Sequence, residues 1–182
     1  MVLVVKDCSK VDMKILRTPD ECFDNLEDYP FEPNYIDLEH HGQTLRMHYL
    51  DENSESKEVV LLMHGEPTWS YLYRKIIPIL VSNGKRVIAP DLIGFGKSDK
   101  PAAREDYSYA NHIKWVERLI KKLDLNNITF FAQDWGGLIG LRLLAKYPEL
   151  YDGLVVSNSG LPVGSGATEG FMQWLEFSQS VE

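Results

Sequence analysis

The chain has 182 residues, enough for one domain with a substantial hydrophobic core. Its 19 basic and 27 acidic residues give a formal net charge of −8, which argues against nucleic acid or an anionic membrane as a partner. The two cysteines, Cys8 and Cys22, match neither a disulfide framework nor a metal site. We therefore expect no bound metal. Because no apolar run reaches transmembrane length and no signal-peptide core is present, we also expect a cytoplasmic protein.

The N-terminal part of the sequence predicts an arm followed by strands. Residues 1–34 are polar and punctuated by proline, which indicates an arm that lies over the core. Residues 35–39 and 44–50 have the pattern of two antiparallel strands joined by a turn. Residues 59–63 form a continuous apolar run, which is typical of a strand buried on both faces.

Helices and strands alternate along the middle of the chain. Thr68 is the predicted N-cap of a helix over 69–81, and a strand is predicted at 86–89. Ser108 is predicted to begin a second helix, whose apolar residues recur at helical spacing up to Leu123.

The C-terminal part continues this alternation. A strand is predicted at 128–133, and the helix after it is apolar on nearly all sides and ends before Pro148. A last strand is predicted at 153–157, followed by an amphipathic segment over 171–177. Buried strands that alternate with helices indicate an α/β fold with a mostly parallel sheet covered on both faces.

Three motifs lie at the carboxyl ends of predicted strands, at 64–67, 91–96 and 133–137. Ligands of such sheets bind beyond the carboxyl ends of the strands, so these loops indicate one shared site. The glycines of 91–96 fit neither the dinucleotide-binding nor the P-loop spacing. We therefore predict no cofactor.

The segment from Phe130 to Leu141 has the pattern of a nucleophile elbow, a sharp strand-to-helix turn that exposes one side chain at the top of a sheet. The small residues Ala132 and Gly136 flank the exposed position, which is Asp134. A carboxylate is ionised at neutral pH, and the N-terminus of a helix favours its charge. Asp134 is therefore predicted to displace a leaving group from a saturated carbon and to form an alkyl ester.

A simpler interpretation is that Asp134 only caps the following helix, which is a common use of aspartate. That interpretation does not account for Gly136 and Gly137, because glycine weakens the start of a helix. We favour the elbow.

Taken together, these motifs resemble the α/β-hydrolase fold and, more narrowly, the haloalkane dehalogenases. The resemblance runs from about Leu16 to the end of the chain and is carried by four segments: 64–74, 91–101, 133–137 and 158–162. The Asp134 elbow combined with the loop 66–69 is the specific signal. Neither the His-Gly-x-Pro pattern nor the Asp-Trp-Gly pattern is specific by itself, because epoxide hydrolases share both.

The resemblance implies that Asp134 attacks the carbon that bears the halogen of a small haloalkane and that water then hydrolyses the ester. Indole N–H groups suit the leaving halide, since they donate hydrogen bonds without carrying charge. Trp135 is the first expected donor. Trp174 is the second, because it follows Phe171 by three residues as in one subfamily, and Phe171 is expected to line the pocket. Alternatively, Phe171, Trp174 and Phe177 form an ordinary apolar helix stripe that faces the core.

The resemblance also implies an oxyanion hole made by the backbone N–H groups of Glu66 and Trp135. A less favoured alternative gives the Glu66 side chain the role of general acid or base.

The family uses a downstream histidine as its base, yet none of the five histidines follows Asp134. His64 belongs to the oxyanion-loop motif and is expected to be structural, and His112 is expected to be solvated on a surface helix. Asn158 occupies one of the two family positions for the catalytic acid. The expectation is therefore a dehalogenase that lacks its C-terminal strands and most of its cap. Its predicted parts are an arm at 1–34, a partial α/β-hydrolase core at 35–160 and the start of a helical cap at 161–182.

Two other functions stay open at this point. An epoxide hydrolase would use the same aspartate but needs hydroxyl donors from the cap, and no tyrosine follows Tyr151. A non-catalytic remnant would instead bind a partner through the exposed sheet edge at 153–157.

Overall fold

The computed structural model describes residues 13–160 and 166–180. Its strands are β1 (Ile15–Leu16), β2 (Asn34–His40), β3 (Gln43–Glu52), β4 (Val59–Met63), β5 (Arg86–Pro90), β6 (Lys100–Pro101), β7 (Ile128–Gln133) and β8 (Tyr151–Ser157). Its α-helices are α1 (Ile77–Ser82), α2 (Tyr109–Lys122), α3 (Asp134–Lys146) and α4 (Glu169–Ser180). Short 3-10 turns occupy Asp20–Phe23, Ser70–Tyr73, Arg104–Asp106 and Pro148–Leu150.

The described residues form a six-stranded sheet in the order β2-β3-β5-β4-β7-β8. Strands β5, β4, β7 and β8 are parallel, whereas β2, β3 and β5 pair in antiparallel fashion. This confirms the predicted α/β fold with a mostly parallel sheet. The carboxyl ends of β4 and β7 are adjacent, so the loops that follow these two strands meet at one edge.

Strand β4 supplies side chains to the cores on both faces of the sheet. Leu61 packs in a cluster with residues of α2 and α3, and the next residue, Leu62, packs in a second cluster that includes Ile77 of α1. All five residues of β4 are buried, as their continuous apolar run predicts.

The described part of the N-terminal arm packs on the core. β1 pairs with β6 in a separate two-stranded sheet. The Arg17 guanidinium binds the Asp99 carboxylate through two hydrogen bonds of 2.7 and 3.0 Å, and the Tyr29 hydroxyl lies 2.7 Å from Ser70 Oγ. Residues 1–12, including Cys8, lie outside the described residues, and Cys22 is exposed. The predicted domain boundaries stay predictions.

The predicted helix over 69–81 is wrong in extent. Only Ile77–Ser82 is α-helical, and Thr68 makes no cap, since its hydroxyl instead donates to the carbonyl of Trp69. Pro78 explains the break, because a proline inside a longer helix would lose a hydrogen bond and clash with the carbonyl one turn earlier. Pro78 is tolerated in the first turn of α1.

The predicted start of α2 is confirmed, because Ser108 Oγ accepts a hydrogen bond from the Asn111 N–H at 3.1 Å. Helix α3, in contrast, is buried along one face only, and Leu138 and Leu141 are half-buried on its other sides. None of the helices in the described ranges has the length and apolar character needed to cross a membrane.

Candidate active site

Asp134 stands at a strained turn between β7 and α3. Its φ is +46°, in the left-handed region that side chains rarely adopt, as the elbow pattern predicts. Two residues after β8 hold this backbone in place. The Asp134 N–H donates to the Asn158 carbonyl at 3.1 Å, and Ser159 Oγ donates to the Asp134 carbonyl at 2.9 Å.

Glycines allow three chain segments to approach one another around the elbow. A Cβ atom on Gly136 would lie 2.3 Å from the Met63 carbonyl oxygen and 2.4 Å from that of His64. A Cβ atom on Gly65 would lie 2.1 Å from Asp134 Oδ1. The glycine after the nucleophile therefore serves close packing of α3 against the end of β4, which the simple capping interpretation does not require.

The Asp134 carboxylate is held through one oxygen. The Glu66 backbone N–H donates to Asp134 Oδ1 at 2.9 Å. No described residue donates a hydrogen bond to Oδ2, so Oδ2 is the oxygen available for attack. The Glu66 amide thus contacts the carboxylate, while the oxyanion-hole roles of the Glu66 and Trp135 amides stay predictions.

His64 is fully buried, and both of its ring nitrogens have partners. Nδ1 donates to the Gly65 carbonyl at 2.9 Å, and Nε2 accepts from the Leu92 N–H at 2.9 Å. Burial lowers the pKa of His64, so the ring is neutral with its proton on Nδ1. A base would need a free ring nitrogen, and His64 has none.

The loop after β5 is anchored by the buried carboxylate of Asp91. Its Oδ1 accepts from the Ser70 N–H, and its Oδ2 accepts from the Lys97 N–H and from His48 Nδ1, each at 2.8 Å. Burial alone would raise the pKa of Asp91, but the hydrogen bonds from His48 and the two amides lower it overall. The loop is thereby fixed against β3 and the turn at Ser70.

A cavity of about 560 Å³ opens beside the elbow. Its wall includes Glu66 and Trp135, the hydrogen-bond partner and the sequence neighbour of Asp134, but Asp134 itself is not among its lining residues. The other lining residues are Gly65, Leu92, Gly94, Phe95, Arg104, Tyr107, Ser108, Tyr109, His112 and Ile139. Trp135 is 39% exposed, and its ring lies 6.5 Å from that of Tyr109, which also lines the cavity.

His112 is not solvated on a surface helix, contrary to the expectation from the sequence. It is half-buried and lines the cavity, and its Nδ1 is buried without a hydrogen-bond partner among the described residues. Burial, with a smaller contribution from His64, lowers the pKa of His112 to about 4. Its position one turn before the buried Val116 on the same face of α2 was the available sequence signal.

Tyr107 and Tyr109 also line the cavity, which was not predicted because both residues precede the elbow in the sequence. Both hydroxyls are already engaged. Tyr107 donates to the Pro101 carbonyl at 2.9 Å, and Tyr109 donates to the Leu138 carbonyl at 2.8 Å. Burial raises the pKa of both tyrosines. Both hydroxyl groups therefore donate to backbone carbonyls in this structure.

Trp174 and Phe171 are not brought to this cavity. Trp174 is 54% exposed, α4 has no buried residue, and the rings of Phe171 and Trp174 lie 5.8 Å apart. The alternative of a core-facing stripe does not describe α4 either. The halide-binding role of Trp174 and the lining role of Phe171 stay predictions.

Comparison with known proteins supports the resemblance. The family model described as the alpha/beta hydrolase fold matches residues 58–180. A haloalkane dehalogenase from Psychrobacter cryohalolentis is 55% identical over 171 residues, which are 93% of this chain and 56% of that protein. One from Mycolicibacterium paratuberculosis is 51% identical over 92% of this chain and 56% of its own length. The chain thus spans about half the length of the curated relatives it matches.

Solved structures give the same relationship. A tetrameric haloalkane dehalogenase from Paraglaciecola agarilytica matches with a TM-score of 0.87 and 42% identity, over 93% of this chain and 57% of that one. A mutant epoxide hydrolase from Vigna radiata matches less closely, with a TM-score of 0.61 and 30% identity over 71% of this chain and 40% of the other. The predicted resemblance to haloalkane dehalogenases is confirmed, and the match to an epoxide hydrolase is weaker. The chain belongs to the alpha/beta hydrolase fold family.

Proposed function

We propose that this chain carries the nucleophilic part of a haloalkane dehalogenase site. Asp134 Oδ2 attacks the carbon that bears the halogen, a C–O bond forms, and the C–halogen bond breaks as the halide leaves with its electron pair. The product is an alkyl ester of Asp134 plus a halide ion. The observation that carries the proposal is the elbow at Asp134, whose Oδ1 is held by the Glu66 N–H and whose Oδ2 is free.

The halide is received by Trp135, which directly follows the nucleophile in sequence and lines the cavity. An indole N–H is a suitable donor for a large, weakly basic anion in apolar surroundings. We assign Trp174 as the second donor and Phe171 as a lining residue. The support for these two roles is their sequence spacing and the contact between their rings, 5.8 Å apart.

Hydrolysis of the ester completes the reaction. A water oxygen bonds to Cγ of Asp134, and the carbonyl electron pair moves to Oδ1. The bond from Cγ to Oδ2 then breaks, one proton of the water passes to the oxygen of the departing alcohol, and the other is released to solvent as the carboxylate is restored. The Glu66 N–H already points at Oδ1, and the Trp135 N–H is proposed as the second donor. No histidine follows Asp134 in these 182 residues, and both nitrogens of His64 are occupied. His112 lines the cavity, but a pKa of about 4 makes it a weak base, so we expect the ester to persist in this chain.

The proposed partners are therefore a small halogenated alkane, halide and water. The acidic net charge of −8 supports the absence of a nucleic-acid or membrane partner. The sparse use of cysteine supports a cytoplasmic location.

Intact-mass spectrometry after incubation with a bromoalkane tests this function. We expect the wild-type chain to gain one alkyl group and to release one bromide per alkylated chain. Asp134→Asn keeps the size of the side chain but removes the nucleophilic charge, and we expect it to gain nothing. A folded wild-type chain without an adduct would contradict the proposal and favour a non-catalytic binding module.

The same assay distinguishes an epoxide hydrolase. Such an enzyme would gain the whole mass of a terminal epoxide and none from a bromoalkane. The tyrosines at the cavity argue against this outcome, because the hydroxyl groups of Tyr107 and Tyr109 donate hydrogen bonds to backbone carbonyls.

A further inference from the structure

One peptide unit, between Gly65 and Glu66, is held at both of its ends. Its N–H donates to Asp134 Oδ1 at 2.9 Å. Its carbonyl oxygen accepts from His64 Nδ1 at 2.9 Å and from the Thr68 N–H at 3.1 Å. The side chain of His64 therefore contacts the opposite end of the amide that faces the nucleophile.

On the basis of the proposed function, we propose that His64 is a positioning residue for the reaction at Asp134, acting through the Gly65–Glu66 peptide. A hydrogen bond to a carbonyl polarises the whole amide, so the N–H at its other end becomes a stronger donor. The same bond prevents the peptide plane from rotating away from Oδ1. His64 thus acts on both the direction and the strength of the Glu66 N–H.

The ring of His64 is itself fixed in the orientation this role requires. The Leu92 N–H donates to Nε2 at 2.9 Å, which keeps the proton on Nδ1, and the Phe95 ring packs edge-to-face against it at 5.3 Å. Leu92 directly follows Asp91, whose carboxylate is buried and takes hydrogen bonds from three partners. The contacts that orient His64 therefore start from a buried loop that is itself fixed by hydrogen bonds.

The effect should be largest when the ester is cleaved. During alkylation Asp134 loses negative charge, so a donor to Oδ1 favours the starting carboxylate at least as much as the transition state. During cleavage a nucleophile bonds to Cγ, the carbonyl electron pair moves to Oδ1, and the alkoxide then leaves with its bonding pair and takes up a proton. Relative to the state that precedes it, a donor to Oδ1 stabilises the transition state of cleavage but not that of alkylation.

Two substitutions separate the two ends of the ring. His64→Asn places an amide N–H near the position of Nδ1, so the bond to the Gly65 carbonyl can be kept while the Leu92 N–H loses its partner. His64→Gln places its amide near the position of Nε2, so the Leu92 N–H can be satisfied while the Gly65 carbonyl loses the bond. Each variant loses one buried hydrogen bond, so their unfolding midpoints serve as matched controls for structure.

The measurement uses the alkylated chain and hydroxylamine, a nucleophile that needs no base from the protein. Its nitrogen bonds to Cγ of Asp134 and the alcohol leaves, so intact mass follows the conversion of ester to hydroxamate. Weakening one oxyanion donor should slow cleavage about tenfold in His64→Gln, whereas His64→Asn should remain within about threefold of wild type. Equal slowing in both variants, or a wild-type rate in His64→Gln, would overturn the proposal.

A second readout separates this inference from the proposed function. If the wild-type chain forms no adduct, the proposed function fails, and the proton chemical shift of the Glu66 amide still tests the positioning. An upfield shift in His64→Gln that is absent in His64→Asn supports it, since a weaker hydrogen bond moves the resonance in that direction. Equal shifts in the two variants overturn it.

Discussion

Three apolar residues lie side by side across neighbouring parallel strands but differ in burial. Leu61 of β4 pairs with Phe130 of β7, which pairs with Leu154 of β8. Leu61 and Phe130 are 0% exposed, whereas Leu154 is 44% exposed. The strands have similar apolar sequences, so the difference comes from their neighbours. β4 has strands on both sides and helices on both faces, while β8 is the last strand of the described sheet.

The candidate site is built at the ends of the two buried strands, β4 and β7. His64 directly follows β4, and Asp134 directly follows β7. Hydrogen bonds through Glu66 and Leu92 then connect these two strand ends to each other and to the loop after β5. The exposed side consists of β8 and α4, and it carries Trp174, whose role is still a prediction. Buried packing thus supports Asp134, whereas no comparable packing supports the Trp174 indole within the part of the chain that the structure describes.

The largest expected effect is the contrast between two identical substitutions in this row. Leu61→Ala should lower the free energy of unfolding by about 2–5 kcal/mol, because it leaves a cavity in a closed core. Leu154→Ala should cost less than about 1 kcal/mol, since its side chain already contacts solvent. Chemical denaturation of both variants measures the difference. Equal losses would mean that β8 is covered in solution and would contradict the difference in burial between Leu61 and Leu154.

A pair of glycine substitutions tests the same difference between the buried and the exposed parts of the chain. Gly136→Ala should destabilise the chain by about 1–3 kcal/mol, because the new Cβ would meet two backbone carbonyls that cannot move independently of β4. Gly170→Ala in α4 meets no atom within 4 Å and should stabilise its helix by up to about 1 kcal/mol. Thermal melts of the two variants should shift in opposite directions. A shift of the same sign in both would contradict the close approach of α3 to β4.

The pH dependence of stability provides the next test. The pKa of His112 falls from 6.5 to about 4 on folding, so the unfolded chain binds a proton that the folded chain excludes. Stability should therefore fall as the pH drops from about 6.5 to about 4, by on the order of 1–2 kcal/mol once the shift is discounted for the partial exposure of the ring. His112→Gln should flatten this part of the profile, measured by denaturation at a series of pH values. The control His41→Gln, at an exposed histidine, should retain the slope, and a retained slope in His112→Gln would contradict burial of the ring.

The smallest effect on stability is expected at the exposed strand. Val155→Lys should change the free energy of unfolding by less than about 0.5 kcal/mol but should reduce self-association, because a charge on an edge strand opposes pairing with another copy. Sedimentation over a range of concentrations measures this association. Asn126→Lys adds the same charge in an exposed loop and should leave association unchanged. An equal reduction in both would assign the effect to net charge instead of the edge.

Local patterns in the sequence were sufficient to predict the elbow and the strands around it. β7 was predicted with the bounds that the structure has, Ile128–Gln133, because its apolar run ends at the acid and the two glycines. The positive φ of Asp134 follows from the same pattern. The helix predicted from 69 was wrong because its apolar spacing was given more weight than Pro78.

Features that depend on packing between helices were not predictable in this way. His112 and Tyr109 belong to α2, but the cavity that they line also needs α3 and the loop at Gly94, which are distant in the sequence. The connection from His64 to Asp134 likewise joins three separate strand ends. Periodicity shows which face of a helix is apolar but not which side chains from another element meet it.

Tandem mass spectrometry of the alkylated chain tests the central claim most directly. After reaction with a bromoalkane and proteolysis, we predict that the alkyl group resides on Asp134, in the peptide that contains Trp135. Glu66 lines the cavity beside the elbow, and its carboxylate serves as the internal control, which should remain unmodified. An alkyl group on Glu66, or none on Asp134 in a folded sample, would contradict the account.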